Sequence, residues 1–108
     1  NNRLYISAGR KKDLIIRAGE NVSPLAIESA LMNHPAIAEV AAVGVPDERA
    51  GERVKVCVAL RQGAMATESE LKNFCRENLP AFMTPDYFQF LEELPKTATG
   101  KILKSELQ

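Results

Sequence analysis

Residue types that mark whole classes of proteins are scarce in this chain. Its 108 residues include no tryptophan, one histidine and two cysteines. His34 cannot form a histidine cluster by itself, and Cys57 and Cys75 lack the close spacing of zinc ligands. We therefore expect no metal site, and we interpret the two cysteines as small core residues.

Net charge and long apolar runs are also lacking. Lysines plus arginines number 14, as do aspartates plus glutamates, so the formal net charge is zero. Domains that bind nucleic acids usually carry an excess of positive charge, so we expect no nucleic-acid partner. No apolar run approaches the length of a membrane span, and no signal-peptide pattern is present. These absences predict a cytoplasmic location without a membrane span.

The remaining composition is that of one folded domain. Hydrophobic residues make up 45% of the chain and charged residues 26%, a balance that argues against disorder. A chain of this length can bury a single modest core.

Five segments carry strand patterns. Residues 37–45 are nearly all apolar and rich in β-branched side chains, which favours a buried strand. Residues 54–60 alternate between valine or leucine and other residues, which indicates a strand with two different faces. Residues 87–91 predict a third strand. Residues 4–6 and 14–17 predict an N-terminal β-hairpin joined by residues 9–13, and residues 18–21 predict a further turn.

Two helices are marked by the signals at their ends. Ser23 followed by Pro24 predicts a helix start, with serine as the N-cap, and Pro35 predicts its end. Thr67 and Glu70 have the spacing of a capping box at the start of a second helix. The sum is an α+β fold, with helices packed on a small sheet of about three strands, plus the N-terminal hairpin.

Residues 94–103, LPKTATGKIL, predict a loop. Proline, threonine and glycine in this stretch discourage regular structure. From Lys101 onward, Ile102, Leu103 and Leu107 predict a short terminal helix. A lysine at such a junction is a compact positive charge on a long arm, suited to a phosphate or carboxylate oxygen. From the loop alone, a solvated lysine in a turn is the simpler interpretation.

Three blocks, in order along the chain, resemble one enzyme family. Residues 95–102, PKTATGKI, look like the C-terminal lysine motif of the adenylate-forming enzymes. These enzymes include acyl- and aryl-CoA synthetases, firefly luciferase and peptide-synthetase adenylation domains. Residues 9–15, GRKKDLI, resemble the segment that opens their small C-terminal domain, and residues 79–85, LPAFMTP, resemble an element between the two. Residues 14–16 and 19–21 look most like those of an acyl-CoA synthetase.

The resemblance implies that residues 1–108 are the mobile C-terminal domain of an AMP-forming acyl-CoA synthetase that lacks its large N-terminal domain here. In such enzymes a carboxylic acid, here a fatty acid, attacks the α-phosphate of ATP and gives an acyl-adenylate. The small domain then rotates, and a thiol attacks the adenylate to give a thioester and AMP. ATP and coenzyme A would be substrates, with Mg²⁺ accompanying ATP but not bound by this domain. The isolated domain is expected to be inactive.

The same resemblance implies roles for individual residues. Lys101 would be the catalytic residue of adenylation, bridging carboxylate and α-phosphate oxygens. Arg10 would contact the nucleotide near its ribose, and Lys12 would be the hinge about which the domain rotates. Gly19 would lie beside the pantetheine tunnel, with Glu20 next to it in the coenzyme A-binding segment.

Arg76 resembles a coenzyme A phosphate-binding arginine of acetate-type synthetases, although a solvated arginine at a helix end is an equally good interpretation. Residues 10–12 could likewise be a solvated hairpin tip, and Gly19 a turn glycine that needs positive φ. Two other functions remain open. The chain could belong to an adenylation domain that acts on a carrier-protein pantetheine, or it could be a non-enzymatic α+β binding module.

Overall fold

The computed structural model describes residues 14–108. The predicted strand over residues 4–6, Arg10 and Lys12 lie outside the described residues. The strands are β1 (Ile15–Arg17), β2 (Glu20–Val22), β3 (Ile37–Asp47), β4 (Gly51–Leu60) and β5 (Tyr87–Leu91). The α-helices are α1 (Pro24–Leu31) and α2 (Glu68–Asn78), and short 3₁₀ turns occupy Ala81–Met83 and Lys104–Glu106.

Both helices begin at the residues that the sequence indicated. Ser23 Oγ accepts a hydrogen bond from Ala26 N, and Pro24 opens α1. Thr67 Oγ1 accepts one from Glu70 N, while the Glu70 side chain accepts one from Thr67 N. These contacts satisfy N–H groups that have no partner inside the helix, so the predicted N-cap and capping box are both confirmed.

Strand β4 is the centre of the sheet. One edge pairs antiparallel with β3 along its whole length, from the Ile37–Leu60 pair to the Asp47–Gly51 pair. The other edge pairs antiparallel with β1, where Arg17 lies opposite Gly51, and farther along it pairs parallel with β5. A parallel pair needs a crossover connection, and α2 lies within the one between β4 and β5. The α+β class is confirmed, and β1 and β2 extend the sheet to five strands. The hairpin predicted between residues 4–6 and 14–17 stays a prediction, because its first strand lies outside the described residues.

Strands β1 and β2 form a hairpin with a two-residue turn. Ala18 has φ +51° and Gly19 has φ +83°, and two successive positive φ angles are the requirement of the type I′ turn that suits tight hairpins. The predicted turn over residues 18–21 is therefore shorter than expected. Glu20 and Asn21 belong to β2 because two residues are enough to reverse the chain.

Both faces of the sheet are covered, because alternate residues of β3 and β4 are apolar on each side. One face packs against the helices in a core that includes Val40, Ala42, Val54, Val56, Val58, Ile27, Leu31, Leu71 and Cys75. The other face packs against the C-terminal segment in a smaller cluster of Ala41, Val43, Cys57, Ala59, Leu94 and Leu107. The segment that contains Lys101 is thus fixed to the sheet on both sides of that residue.

The predicted terminal helix after Lys101 is wrong. Ile102 forms an antiparallel bridge with Lys96, and only the single 3₁₀ turn Lys104–Glu106 follows. Ile102 and Leu107 pack against the sheet instead. Their apolar spacing reflects two separate contacts with the sheet and not one face of a helix.

Strand β3 lies at an edge of the sheet, and side chains cover part of that edge. Ala42 N donates to Glu28 Oε2 at 2.8 Å, and Gln108 Nε2 donates to Gly44 O at 2.9 Å. Glu28 also pairs with Lys104 at 2.7 Å. Backbone groups that would otherwise face outward therefore have side-chain partners.

Cys57 and Cys75 are both free and fully buried, as expected of core residues. Burial raises the pKa of the Cys75 thiol to about 11 and also raises the pKa of the Cys57 thiol. Because the thiolate is the reactive form, we expect neither cysteine to react quickly with a chromogenic disulfide reagent at about pH 8. Both should react once the chain is unfolded in guanidinium chloride. The exposed Ser105→Cys variant supplies a fast-reacting control, and rapid labelling of the native wild-type chain would contradict the core assignment.

Candidate functional site

Residues 95–103, here called the lysine loop, form a closed hairpin. Leu103 N donates to Pro95 O at 2.8 Å, and Thr97 N donates to Lys101 O at 2.7 Å. Lys96 and Ile102 are paired between these two hydrogen bonds. The predicted loop is therefore confirmed, and hydrogen bonds between the two sides of the hairpin hold its backbone.

The tip of the lysine loop is a tight turn that ends immediately before Lys101. Gly100 N donates to Thr97 O at 2.9 Å, and Gly100 has φ +89°. A turn followed by a residue in the left-handed region is typical of three-residue hairpin loops. Thr97 Oγ1 also accepts a hydrogen bond from Lys101 N at 3.2 Å and lies 2.9 Å from Thr99 Oγ1. Threonine and glycine at these positions thus fix the backbone from which Lys101 projects.

Lys101 is exposed, and its ammonium group forms no ion pair within residues 14–108. Lys96, five residues earlier, is different. Its Nζ pairs with the Glu39 carboxylate and donates to Leu94 O at 3.2 Å. One lysine of the motif therefore faces the protein, while the other is presented to solvent at the tip.

Glu39 on β3 holds the base of the lysine loop. Its Oε1 accepts a hydrogen bond from Leu94 N at 3.2 Å, while its Oε2 contacts Lys96 Nζ. The hydrogen bond from Lys96 keeps the pKa of Glu39 below its ordinary value of 4.5, although burial opposes this shift. Neither Glu39 nor this role of Lys96 was predicted from the sequence. The available signal was a single carboxylate within the otherwise apolar residues 37–45.

Gly19 and Glu20 lie at the exposed turn of the β1–β2 hairpin. A Cβ placed on Gly19 would meet nothing within 4 Å, so within the described residues it is the φ of +83° that favours glycine there. The turn-glycine interpretation therefore has direct support. The roles of Gly19 and Glu20 beside a pantetheine arm stay predictions.

Arg17 was not predicted to be important, yet it connects this hairpin to residues 79–85. Its Nη1 donates to Thr84 O at 2.7 Å and to Asp86 Oδ2 at 2.8 Å, and its Nη2 donates to Phe82 O. Asp86 Oδ2 also accepts a hydrogen bond from Val54 N at 2.8 Å. The third sequence block is thereby tied to β1 and β4 by one guanidinium group and one carboxylate.

Arg76 is exposed in the last turn of α2, where its Nη1 donates to Asn73 Oδ1 at 2.9 Å. This is the solvated helix-end arrangement that the sequence left open. A role of Arg76 in binding a coenzyme A phosphate stays a prediction.

The lysine loop and the β1–β2 hairpin are attached near opposite ends of the sheet. Glu39, which holds the loop, lies opposite Ala59 of β4, while Arg17 of the hairpin lies opposite Gly51. Eight residues of strand separate these two positions, about 26 Å at about 3.3 Å per residue. The residues that the sequence indicated for two different chemical steps are therefore attached at well-separated positions along β4.

Neither a metal cluster nor a membrane span is found in residues 14–108. No group of three or more histidine, cysteine, aspartate or glutamate side chains is placed to hold an ion in this range. No helix in the same range is long and apolar enough to cross a membrane.

The sequence model of the AMP-binding enzyme C-terminal domain matches residues 26–101. The chain belongs to this family. The predicted family is thereby confirmed. The matched residues run from α1 to Lys101 and include two of the three blocks, residues 79–85 and nearly all of residues 95–102.

Three similar proteins are named as CoA ligases. The chain is 48% identical over 103 residues to a long-chain-fatty-acid–CoA ligase of Bacillus subtilis. The matched region covers 95% of this chain and 18% of that protein. It is 46% identical over 100 residues to the mitochondrial medium-chain acyl-CoA ligase ACSF2 of Danio rerio, a match that covers 93% of this chain and 16% of that protein. Oxalate–CoA ligase of Arabidopsis thaliana is 45% identical to this chain over 94 residues. That match covers 87% of this chain and 18% of the ligase. The chain thus spans less than a fifth of each of these relatives.

Solved structures agree with this assignment. The fold matches a fatty acyl CoA synthetase of Mycobacterium tuberculosis with a TM-score of 0.83 and 40% identity, over 89% of this chain and 19% of that one. An acyl-CoA synthetase of Brucella canis gives a TM-score of 0.84 and 41% identity, over 93% of this chain and 19% of that one.

Gly100→Ala should destabilise the chain by about 1 kcal/mol, because an L-residue is strained at positive φ. A Cβ at Gly100 would meet nothing within 4 Å, so the cost is conformational and not steric. Gly63 is a matched control, since it has φ +81° and equally open surroundings in the loop after β4. Urea unfolding of Gly100→Ala and Gly63→Ala should give similar losses. A Gly100→Ala variant as stable as wild type would show that the turn before Lys101 does not hold glycine in the left-handed region.

Proposed function

We propose that this chain is the C-terminal domain of an ATP-dependent, AMP-forming CoA ligase that acts on a fatty acid, and that Lys101 is the residue it contributes to adenylation. The observation that carries the proposal is the ordered hairpin that projects an exposed Lys101 at its tip. The family assignment and the CoA ligases among the similar proteins support the reaction class.

In the proposed first step, a carboxylate oxygen attacks the α-phosphorus of ATP and pyrophosphate leaves. Negative charge then builds on oxygens around the α-phosphate, where a preorganised cation lowers the barrier. The exposed ammonium group of Lys101, on an arm that projects from a fixed turn, suits this role. Lys96 does not suit it, because Glu39 already neutralises its charge.

In the proposed second step, the thiol sulfur of coenzyme A attacks the carbonyl carbon of the acyl-adenylate, and AMP leaves. Gly19 and Glu20, near the far end of the sheet from the lysine loop, would serve this step. A single small domain could then serve both steps by rotating, with Lys12 as the hinge and Arg10 near the ribose. Arg76 would contact a phosphate of coenzyme A.

The remaining parts of the proposal concern what the chain works with. The large N-terminal domain of the same protein is the proposed partner, and ATP with Mg²⁺ and coenzyme A are the proposed small molecules. A fatty acid is the proposed substrate because two of the similar proteins are named as long-chain and medium-chain ligases. The cytoplasm is the proposed location, although the name of one similar protein places that protein in mitochondria.

The other functions that the sequence left open have less support. A carrier-protein pantetheine as acceptor is disfavoured by relatives that are named as CoA ligases. A non-enzymatic binding module is disfavoured by membership of an enzyme family.

In the full-length enzyme, Lys101→Ala should slow adenylate formation by about two to three orders of magnitude, the scale of losing one preorganised charge contact. Thioester formation from supplied acyl-adenylate should stay nearly unchanged. Pyrophosphate release and thioester formation, measured separately, test this split. Lys72→Ala, which removes a lysine that pairs with Glu68 on α2, is the control and should affect neither step. Equal losses in both steps for Lys101→Ala would overturn the assignment.

Lys12→Pro should trap one domain orientation in the full-length enzyme, because proline fixes φ and removes the N–H group. Thioester formation should therefore fall more than adenylation, which precedes the proposed rotation. Lys12→Ala keeps the backbone free and should cost far less in either step. Comparable damage to thioester formation by Lys12→Ala and Lys12→Pro would mean that the side chain matters and that Lys12 is not a hinge.

A further inference from the structure

An ion pair lies at the base of the lysine loop, on the side that faces the sheet. Its carboxylate comes from Glu39, the one charged residue among the apolar residues 37–45 of β3. Its cation is Lys96, the first lysine of the loop. Their side chains are 26% and 30% exposed, so the pair is mostly but not fully removed from water.

Both carboxylate oxygens of Glu39 are used at the point where the chain leaves the sheet. Oε1 accepts from Leu94 N, and Oε2 pairs with Lys96 Nζ, which donates in turn to Leu94 O. Leu94 itself is fully buried. The backbone of Leu94 and the side chain of Lys96 are therefore both held by one carboxylate of β3.

The geometry of the loop carries this restraint to Lys101. Lys96 lies opposite Ile102, and residues directly opposite each other in an antiparallel pair point to the same side. Ile102 packs against the sheet and Lys96 reaches Glu39, so both side chains point inward. Neighbours along a strand point to opposite sides, which directs Lys101 outward.

We propose that Glu39 and Lys96 are positioning residues for Lys101, fixing the base of the lysine loop and with it the direction of the Lys101 side chain. This inference rests on the proposed adenylation role of Lys101. Without the ion pair, the hairpin loses one of the two side-chain contacts described for its inward side, the other being the packing of Ile102, and it is freer to turn about its base. A shift of about 1 Å in a catalytic group costs about 100-fold in rate.

A purely structural role of the ion pair has a different signature. Ion pairs that remain in partial contact with water, like this one, usually contribute little to the free energy of unfolding. Its loss should therefore leave the unfolding midpoint almost unchanged, whereas a positioning role lowers the rate of one chemical step.

The test uses the full-length enzyme with Lys96→Met and Glu39→Gln. We expect each to lower kcat of adenylation by about 10- to 100-fold, with little change in KM for ATP and in thioester formation from supplied acyl-adenylate. Lys96→Arg keeps a cation that can reach the same oxygens and should retain most of the rate. Urea unfolding checks that each variant stays folded.

Lys72→Met is a control. Lys72 pairs with Glu68 within α2, on the opposite face of the sheet from the face that Ile102 of the lysine loop packs against. This pair is also partly exposed, and Lys72→Met should leave adenylation unchanged.

A double variant separates action through Lys101 from action elsewhere. If Lys96 works by positioning Lys101, then Lys96→Met should cause little further loss in a Lys101→Ala background. An additive loss, an unchanged adenylation rate in Lys96→Met and Glu39→Gln, or equal losses in both steps would each overturn the positioning role. If Lys101→Ala alone leaves adenylation intact, the proposed function fails first and the inference falls with it.

Discussion

The structure depends on covering a central sheet that is apolar on both faces. Val56 of β4 is buried against the helices, and the next residue, Cys57, is buried on the opposite face. Both helices lie on one face of the sheet, and the C-terminal segment covers the other. Leu94 and Leu107 do so, and the lysine loop is the part of that segment that leaves the sheet and returns to it. Burial of ordinary apolar surface therefore determines where an exposed lysine is presented.

Much of the fold could be predicted because its signals are local. Ser23 and Thr67 cap the helices through contacts three residues away, and the alternation in β4 follows from the period of a strand. The prediction of a terminal helix was wrong because, in the sequence alone, the spacing of Ile102 and Leu107 fits one face of a helix as well as it fits two separate contacts with the sheet. The early end of the turn at Gly19 was missed because it depends on a positive φ at Ala18, which is unusual for a residue other than glycine.

The candidate site could be predicted only in part. The motif identified Lys101, and resemblance assigned it a role, but nothing local distinguishes it from Lys96. The difference lies in Glu39, which is 57 residues away from Lys96 along the chain and adjacent to it in space. The contacts of Arg17 could not be predicted for the same reason, since its partners Phe82, Thr84 and Asp86 are all more than 60 residues away along the chain. Partners this far apart in sequence leave no periodic pattern.

The edge of β3 has a consequence for solubility. An uncovered edge strand offers a row of hydrogen-bonding groups to the edge of another copy, which is a common route to aggregation. Glu28 from α1 and Gln108 from the C-terminal segment occupy two of these groups, at Ala42 N and Gly44 O. The same segment that presents Lys101 thus also helps to keep two copies of the chain from joining edge to edge into a continuous sheet.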